Sequence, residues 1–404
     1  MNSKNKNIIV LSVVAVLLTV YGAALVFLHY CQAYNPDPVV YFESDLPAHI
    51  EMAMDGWGYS LTALIYKGLS ILPQTAFLVA VAVFLMICEL GALVATYYYF
   101  SKREFDVTLA SIAALGAGFV MPAFVRIIQA TRYIGYQSPS IWHNSTYICM
   151  KLFALLSIIL YYKMCKEYGK KINVKDAIIF ALLLAITTGV KTNFVLAFAP
   201  AALLMLVVDL VLGTPFKKVL VVALTVVPTI AVMAFQEIVL FGEDTGNGIV
   251  IDPLYTVYIR CERPYFTMIL SAAFPVLVFL ANIVFVIKDT IADIKRRDMT
   301  LTHREFLTGW VMWTVAAAEL LLFKETGYRS EAANFVWGYD FALFILFIMS
   351  MWYFVRNLRD KEFLQKVTPL KYAYLGITGA VLIYHVICGI IFFIRLLQGI
   401  TYFA

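Results

Sequence analysis

Three polar runs, far apart in the chain, hold the residue types that acid–base and anion-binding chemistry needs. The first reads Glu43-Ser44-Asp45-Leu46-Pro47-Ala48-His49. Ser44 or Asp45 suits a helix N-cap, Pro47 suits the first turn, and Gly56 lies where a stop would fall. Leu46, Ile50, Ala53, Met54 and Trp57 then share one face, and Pro47, Glu51 and Asp55 the other. That is the pattern of a short amphipathic helix lying along a membrane surface. Asp45 stands at the positive end of this helix, where the dipole favours a carboxylate. A carboxylate at that level is placed to take a proton from an acceptor hydroxyl. His49 follows one turn on. The plainer reading is that Asp45 only caps the helix and His49 only packs.

The second run ends in Trp142-His143-Asn144-Ser145-Thr146. It sets an aromatic ring, a titratable imidazole and an amide at one depth, which suits a sugar ring as well as an interfacial aromatic belt. The third is Lys191-Thr192-Asn193, a polar turn between two apolar stretches. A charge at membrane depth costs about 2.5–3.5 kcal/mol. Lys191 therefore either snorkels outward or binds an anion such as a phosphate headgroup. Arg260, Arg263 and Arg329 are further cations for that role. The segment from Glu325 to Asp340, with Arg329, Glu331, Asn334 and Trp337, either closes a site over the first run or caps the bundle. Glu89 and Glu319 lie inside apolar stretches and need partners or protons.

The elements that position these residues follow from composition. Of 404 residues, 62% are hydrophobic and 14% charged, against about 45–50% and 25% in soluble domains. No single soluble core hides that excess. A soluble enzyme, a nucleic-acid binder and a disordered chain are excluded. The expectation is an all-α polytopic membrane protein with about 11 transmembrane helices and a membrane-surface helix in the first outer loop. Spans of about 20 apolar residues fall at roughly 8–30, 74–100, 107–129, 147–165, 176–190, 194–213, 219–241, 265–287, 306–323, 337–355 and 372–396. Residues 1–404 form one domain: a first span to residue 30, a loop over 31–73, and the remaining bundle over 74–404.

The first stretch, with Lys4 and Lys6 ahead of it, reads as a retained anchor rather than a signal peptide. Most of the 31 lysines and arginines, among them Lys102, Arg103, Lys163, Lys166, Arg296 and Arg359, fall in alternate loops. This puts the N-terminus in the cytoplasm, the C-terminus outside, and the three polar runs on the outer face of the plasma membrane. The inner loops are short and carry no Gly-rich phosphate loop, which disfavours an ABC-type ATPase and an enzyme fed by cytosolic nucleotide-sugars. The six cysteines show no metal-ligand spacing, and Cys31 and Cys261 read as two separate thiols.

Taken together, Ser44-Asp45-Leu46-Pro47-Ala48-His49, Trp142-His143-Asn144-Ser145-Thr146 and Lys191-Thr192-Asn193-Phe194 resemble the GT-C superfamily of integral-membrane glycosyltransferases, in particular its bacterial polysaccharide-assembly members. The similarity runs over roughly residues 8–360. It implies transfer of a sugar from a polyprenyl-phosphate carrier, on the outer face, to a glycan or lipid-linked acceptor. The family's catalytic base, an acid in the first outer loop, maps to Asp45. This chain departs from some relatives in lacking a soluble C-terminal domain, in spacing Glu43 and Asp45 around Ser44, and in carrying Thr192 where a proline is expected. Acceptor recognition, the choice between Asp45 and Glu43 as base, and the use of a divalent metal are thereby left open.

On this reading the carrier phosphate is already a good leaving group, so the protein need only deprotonate the acceptor and stabilise the departing charge. Asp45 is the base, with Glu43 and His49 beside it. Lys191, with Arg260 or Arg329, holds phosphate. Trp142, His143, Asn144 and Asn193 shape the substrate pocket. A single displacement inverts the anomeric centre, and no bound cofactor is implied. A polymerase of lipid-linked repeat units would centre on arginines in a large outer loop. A flippase or transporter of lipid-linked sugars would bury ionisable groups along a mid-membrane path.

Overall fold

The computed structural model describes residues 3–35, 42–56, 59–103, 105–122, 125, 141–166, 172–241, 246–261, 263–297, 301–365 and 368–399. In chain order the helices of the first half are α1 (Ser3–Tyr34), α2 (Leu46–Met54), α3 (Leu61–Leu69), α4 (Gln74–Ser101), α5 (Val107–Gly118), α6 (Ser145–Lys166), α7 (Val174–Val190) and α8 (Asn193–Val211). There follow α9 (Phe216–Leu224), α10 (Val227–Phe241), α11 (Tyr255–Arg260), α12 (Pro264–Arg296), α13 (Arg304–Leu322), α14 (Val336–Arg359), α15 (Lys361–Gln365) and α16 (Pro369–Leu397). The chain is an all-α, multi-pass membrane protein.

Among the described residues nine helical stretches are long and apolar enough to cross a membrane, with α9 and α10 counting as one, Phe216–Phe241. The apolar stretches at 107–129 and 176–190 make shorter helices. At 1.5 Å per residue, the 12 residues of α5 and the 17 of α7 reach about 18 and 25 Å, short of a hydrocarbon core about 30 Å thick. Gly116 and Gly118 at the end of α5, with Pro122 beyond, explain the early stop.

Apolar residues surround most of these helices rather than forming one stripe, as expected where both the bundle interior and the lipid are apolar. Helix α14 is the central post: every residue from Phe335 to Ser350 is buried. Helix α1 stands at the rim, with Ile8, Val16 and Val20 exposed.

The two ends of the bundle differ. At one, Glu305 lies 3.0 Å from both Arg103 and Lys166, Lys163 lies 2.7 Å from Asp176, and Arg359 lies 3.1 Å from Asp106. These are basic residues that the sequence groups on a single face. Here Arg304 grips the fully buried Asp209 with both terminal nitrogens. Removing one partner of such a pair leaves an uncompensated buried charge. Asp209→Ala is therefore expected to cost about 3–5 kcal/mol of stability, read as a lower melting temperature of the purified protein.

The other end gathers the three polar runs. Helix α2 forms where the capping pattern places it, and Gly56 behind it adopts φ +94°, a conformation that favours glycine. Trp57, assigned to the apolar face of this helix, and residues 132–140, with which the second run begins, lie outside the described residues. Ser60 caps α3 by accepting from Thr62 N, and its hydroxyl donates to Val190 O at 3.1 Å, which pins the first loop to the end of α7. A feature absent from the sequence reading is a short antiparallel ribbon. Strand β1 (Ile249–Ile251) pairs with β2 (Phe323–Glu325) in the register Ile249 to Glu325 and Ile251 to Phe323. It ties the 246–261 segment to the one that carries Arg329 and Asn334.

Candidate functional site

Asp45 precedes α2, but its side chain makes no cap bond. Ser44 does that work: its Oγ accepts from Leu46 N at 3.0 Å and donates to His143 O at 2.7 Å. With Asp45 N also donating to His143 O, the first loop is clamped onto the second run. The Asp45 carboxylate is thereby turned away from its own helix and toward α6. Its Oδ1 lies 2.9 Å from His143 Nε2 and its Oδ2 accepts from Asn144 Nδ2 at 2.7 Å.

Asn144 is fixed from both sides. Its Oδ1 accepts from Tyr147 N at 2.8 Å, capping α6, and from the Thr146 hydroxyl at 2.7 Å. The amide nitrogen is thus left for Asp45, and the network sets the orientation of the group. Lys191 Nζ donates to Thr146 Oγ1 at 3.1 Å. A continuous hydrogen-bonded line therefore runs from Lys191 through Thr146 and Asn144 to Asp45.

Lys191 owes its place to a break in the helix. It takes extended backbone angles, φ −160° and ψ 125°, between α7 and α8. The adjoining Thr192 hydroxyl donates to Gln236 Oε1 at 2.8 Å, and Gln236 Nε2 donates to Tyr59 O at 3.1 Å. Gln236, a buried amide in an apolar helix, thus locks the turn to the first loop. Asn193 Nδ2 donates to Asn334 O at 2.9 Å. A side chain on Gly338 would press on the Asn193 carbonyl at 3.1 Å, so the glycine lets α14 approach here.

These groups surround a cavity of about 390 Å³, within the range of small-ligand sites. Asp45, His49, Asn144, Lys191, Asn193, Arg260 and Arg329 all line it, joined by Glu325, Asn334 and Gln236. Glu43 does not, so of the two acids in the first run only Asp45 reaches the cavity. His143 stands just behind the wall. It is buried, bound to Asp45, and stacked on Trp337 at 6.2 Å with planes 9° apart.

Trp142 corrects an expectation. The ring is fully buried, donates from Nε1 to Tyr21 Oη at 3.1 Å, and packs 4.8 Å from Phe393. It is not on the cavity wall and has no face free for a sugar. Its role is to anchor the segment that carries His143 and Asn144.

Burial alone would raise the Asp45 carboxyl. The charge and hydrogen bond of His143, the charge of His49 and the Asn144 amide outweigh it and hold the group well below the usual carboxylate range. His49, whose Nδ1 lies 2.8 Å from Ser145 Oγ, is pushed down by burial to about 4 despite Asp45 beside it. Burial also lowers Lys191, to about 8, with Arg329 acting in the same direction and Asp45 and Glu325 opposing.

The cations are not equivalent. Arg329 Nε donates to Glu325 Oε1 at 2.9 Å, and that carboxylate also accepts from Asn334. The Arg260 guanidinium donates to Glu331 O. Among the described residues no carboxylate lies within ion-pair distance of Lys191, whose ammonium instead stands 5.7 Å over the Trp337 ring. Lys191 is accordingly the better placed for an incoming anion. Among the described residues no three His, Cys, Asp or Glu side chains converge as a metal site, and all six cysteines are free thiols.

Compared with known proteins, the chain matches no family model, no curated protein and no solved structure.

Proposed function

We propose that this protein is a membrane glycosyltransferase of GT-C type. It moves a sugar from a polyprenyl-phosphate carrier to a glycan or lipid-linked acceptor, as part of cell-envelope polysaccharide assembly. The observation that carries this reading is the hydrogen-bonded line at one cavity. A carboxylate that stays ionised stands at one end of it, and an ammonium without a carboxylate partner at the other. Asp45 takes the proton from the acceptor hydroxyl, and Lys191 meets the phosphate that departs. The low proton affinity of Asp45 fits this role. A hydroxyl becomes strongly acidic as its bond to the anomeric carbon forms, so a weak base that is always ionised suffices. His143 and Asn144 hold that base in place. Arg329, matched by Glu325, shapes the phosphate side of the cavity. The site faces outward across the plasma membrane, and the N-terminus lies in the cytoplasm.

Lys191 gives a pH dependence of known sign. Its ammonium is intact below about pH 8 and lost above it. The KM for the donor is expected to rise as pH passes through 8. Lys191→Arg should abolish that rise, because guanidinium stays charged, and Lys191→Met should weaken donor binding below pH 8 and leave the KM flat through this range. A KM that is flat through this range in wild type would remove Lys191 from the phosphate site.

One observation favours the transporter reading, namely the buried ionisable side chains Glu89, Lys151 and Asp340. The fate of the donor separates the two. Proteoliposomes loaded with labelled polyprenyl-phosphate sugars and a membrane extract as acceptor should release carrier phosphate as sugar appears on the acceptor. Donor that changes leaflet and stays whole would instead establish the transporter.

A further inference from the structure

Below the cavity floor the bundle holds ionisable groups for which the proposed reaction has no use. His143, Tyr147 and Lys151 follow one another at four-residue spacing into α6, and Trp337, Asp340 and Phe344 run beside them on α14. The Tyr147 ring packs 5.4 Å from Trp337, and its hydroxyl faces Asp340. Lys151 Nζ lies 3.8 Å from Glu89 Oε2 on α4 and 4.5 Å over the Phe344 ring. Glu89, Lys151 and Asp340 are 1%, 2% and 3% exposed. Among the described residues Glu89 Oε1 and Asp340 Oδ2 are buried without a hydrogen-bond partner.

Among the described residues one ammonium, Lys151, therefore serves both carboxyl groups, as the ion-pair partner of Glu89 and through its charge on Asp340. Among the described residues the other titratable groups facing them are Tyr21 from α1, Tyr147 and Cys149 from α6, and Tyr339 from α14, none of which supplies positive charge. A second buried carboxylate with no counter-charge is far more costly than a buried carboxylic acid. We propose that Glu89, Lys151 and Asp340 form a proton-binding site inside the bundle, in which the two carboxyl groups hold one proton between them at neutral pH. One carboxylate is then matched by Lys151, the other group is a neutral acid, and the cluster carries no net charge. Asp340 sits one helical turn beyond Trp337 and Lys151 two turns beyond His143, so loss of the proton would put a negative charge beneath the His143–Trp337 stack. The site is independent of the glycosyltransfer reading.

The test is infrared spectroscopy of the purified full-length protein in lipid nanodiscs, following the carbonyl band of protonated carboxylic acid from about pH 6 to 9. Wild type should retain such a band far above the ordinary carboxyl range. Glu89→Gln and Asp340→Asn should each fold and each lack this band, which then stands in the wild-type-minus-variant difference, since the acid that remains pairs with Lys151 alone. In Lys151→Met both acids must be protonated in the fold but ionise on unfolding. Its stability, present at low pH, should fall about twice as steeply as that of wild type as pH rises. A wild-type spectrum without the band at neutral pH, or a band unchanged in both acid variants, would overturn the proposal.

Discussion

Asp45→Asn is expected to fold normally and to transfer sugar about 10²–10⁴-fold more slowly than wild type, the usual contribution of a positioned base. Asparagine keeps the size and shape of the side chain. Its oxygen can still accept from Asn144 Nδ2, and its amide can meet His143 Nε2 in the other tautomer. The two contacts that clamp the first loop, Ser44 Oγ and Asp45 N to His143 O, do not involve the carboxylate at all. What is lost is the carboxylate that the first loop aims at the cavity and that stays ionised, ready to take a proton, at every ordinary pH. Asn144→Ala is a milder change in chemistry and a harsher one in structure, because it removes an orienting bond to Asp45 and the cap of α6 together. Initial rates at saturating donor, with melting temperatures alongside, separate the two effects. Asp45→Asn activity within a few-fold of wild type would take the base role from this residue.

The second large effect is structural. Gly389→Ala should strip away the folded protein, with a loss of about 3 kcal/mol or more, at the upper end for overpacking. A Cβ there would overlap the backbone carbonyl of Phe119, and backbone does not move aside as a flexible side chain does. The contact is held from both directions: His385 Nδ1 meets Met121 O, and Met121 N donates to His385 O. Helix α16 is thus seated on the chain that follows α5. The damage would spread to the site, since Phe119 and Phe393 form the packing around Trp142. Gly376 on the same helix supplies the control. Nothing lies within 4 Å of a Cβ placed there, so Gly376→Ala should be neutral or stabilising by up to about 1 kcal/mol through helix propensity. Thermal melting in detergent reads both, and equal melting of the two variants would contradict the close approach of α16.

Much of this was legible in the chain because the bilayer imposes simple rules. Long apolar runs had to be helices, and the Ser-Asp-Leu-Pro start and Gly56 stop were enough to bound α2. Asp45, His143, Asn144, Lys191 and Arg329 stood out as polar residues at the edges of apolar runs, where charge is expensive to keep without a purpose. The roles within the site were less visible. Trp142 reads as a ring for a sugar, and only its burial against Phe393 shows it to be an anchor. The acids Glu43 and Asp45 look interchangeable two residues apart, until the clamp through Ser44 aims one of them at the cavity. The ribbon of Ile249–Ile251 with Phe323–Glu325 has strands of three residues, too short for any alternation to register. Lys151 and Gln236, single polar residues inside apolar stretches, were the signals for the buried proton site and the locked turn. Their partners lie in another helix and in the turn between α7 and α8, 62 residues away for Glu89 and 44 for Thr192, a pairing that spacing alone cannot reveal.

The central claim, that a single displacement with Asp45 as base occurs at this cavity, is tested most directly by the stereochemistry of the transferred sugar. Wild-type protein in proteoliposomes should form a glycosidic bond of inverted anomeric configuration, with one carrier phosphate released per sugar and both events slowed about 10²–10⁴-fold in Asp45→Asn. A bond of retained configuration, or carrier-linked sugar recovered intact on the opposite leaflet, would contradict it.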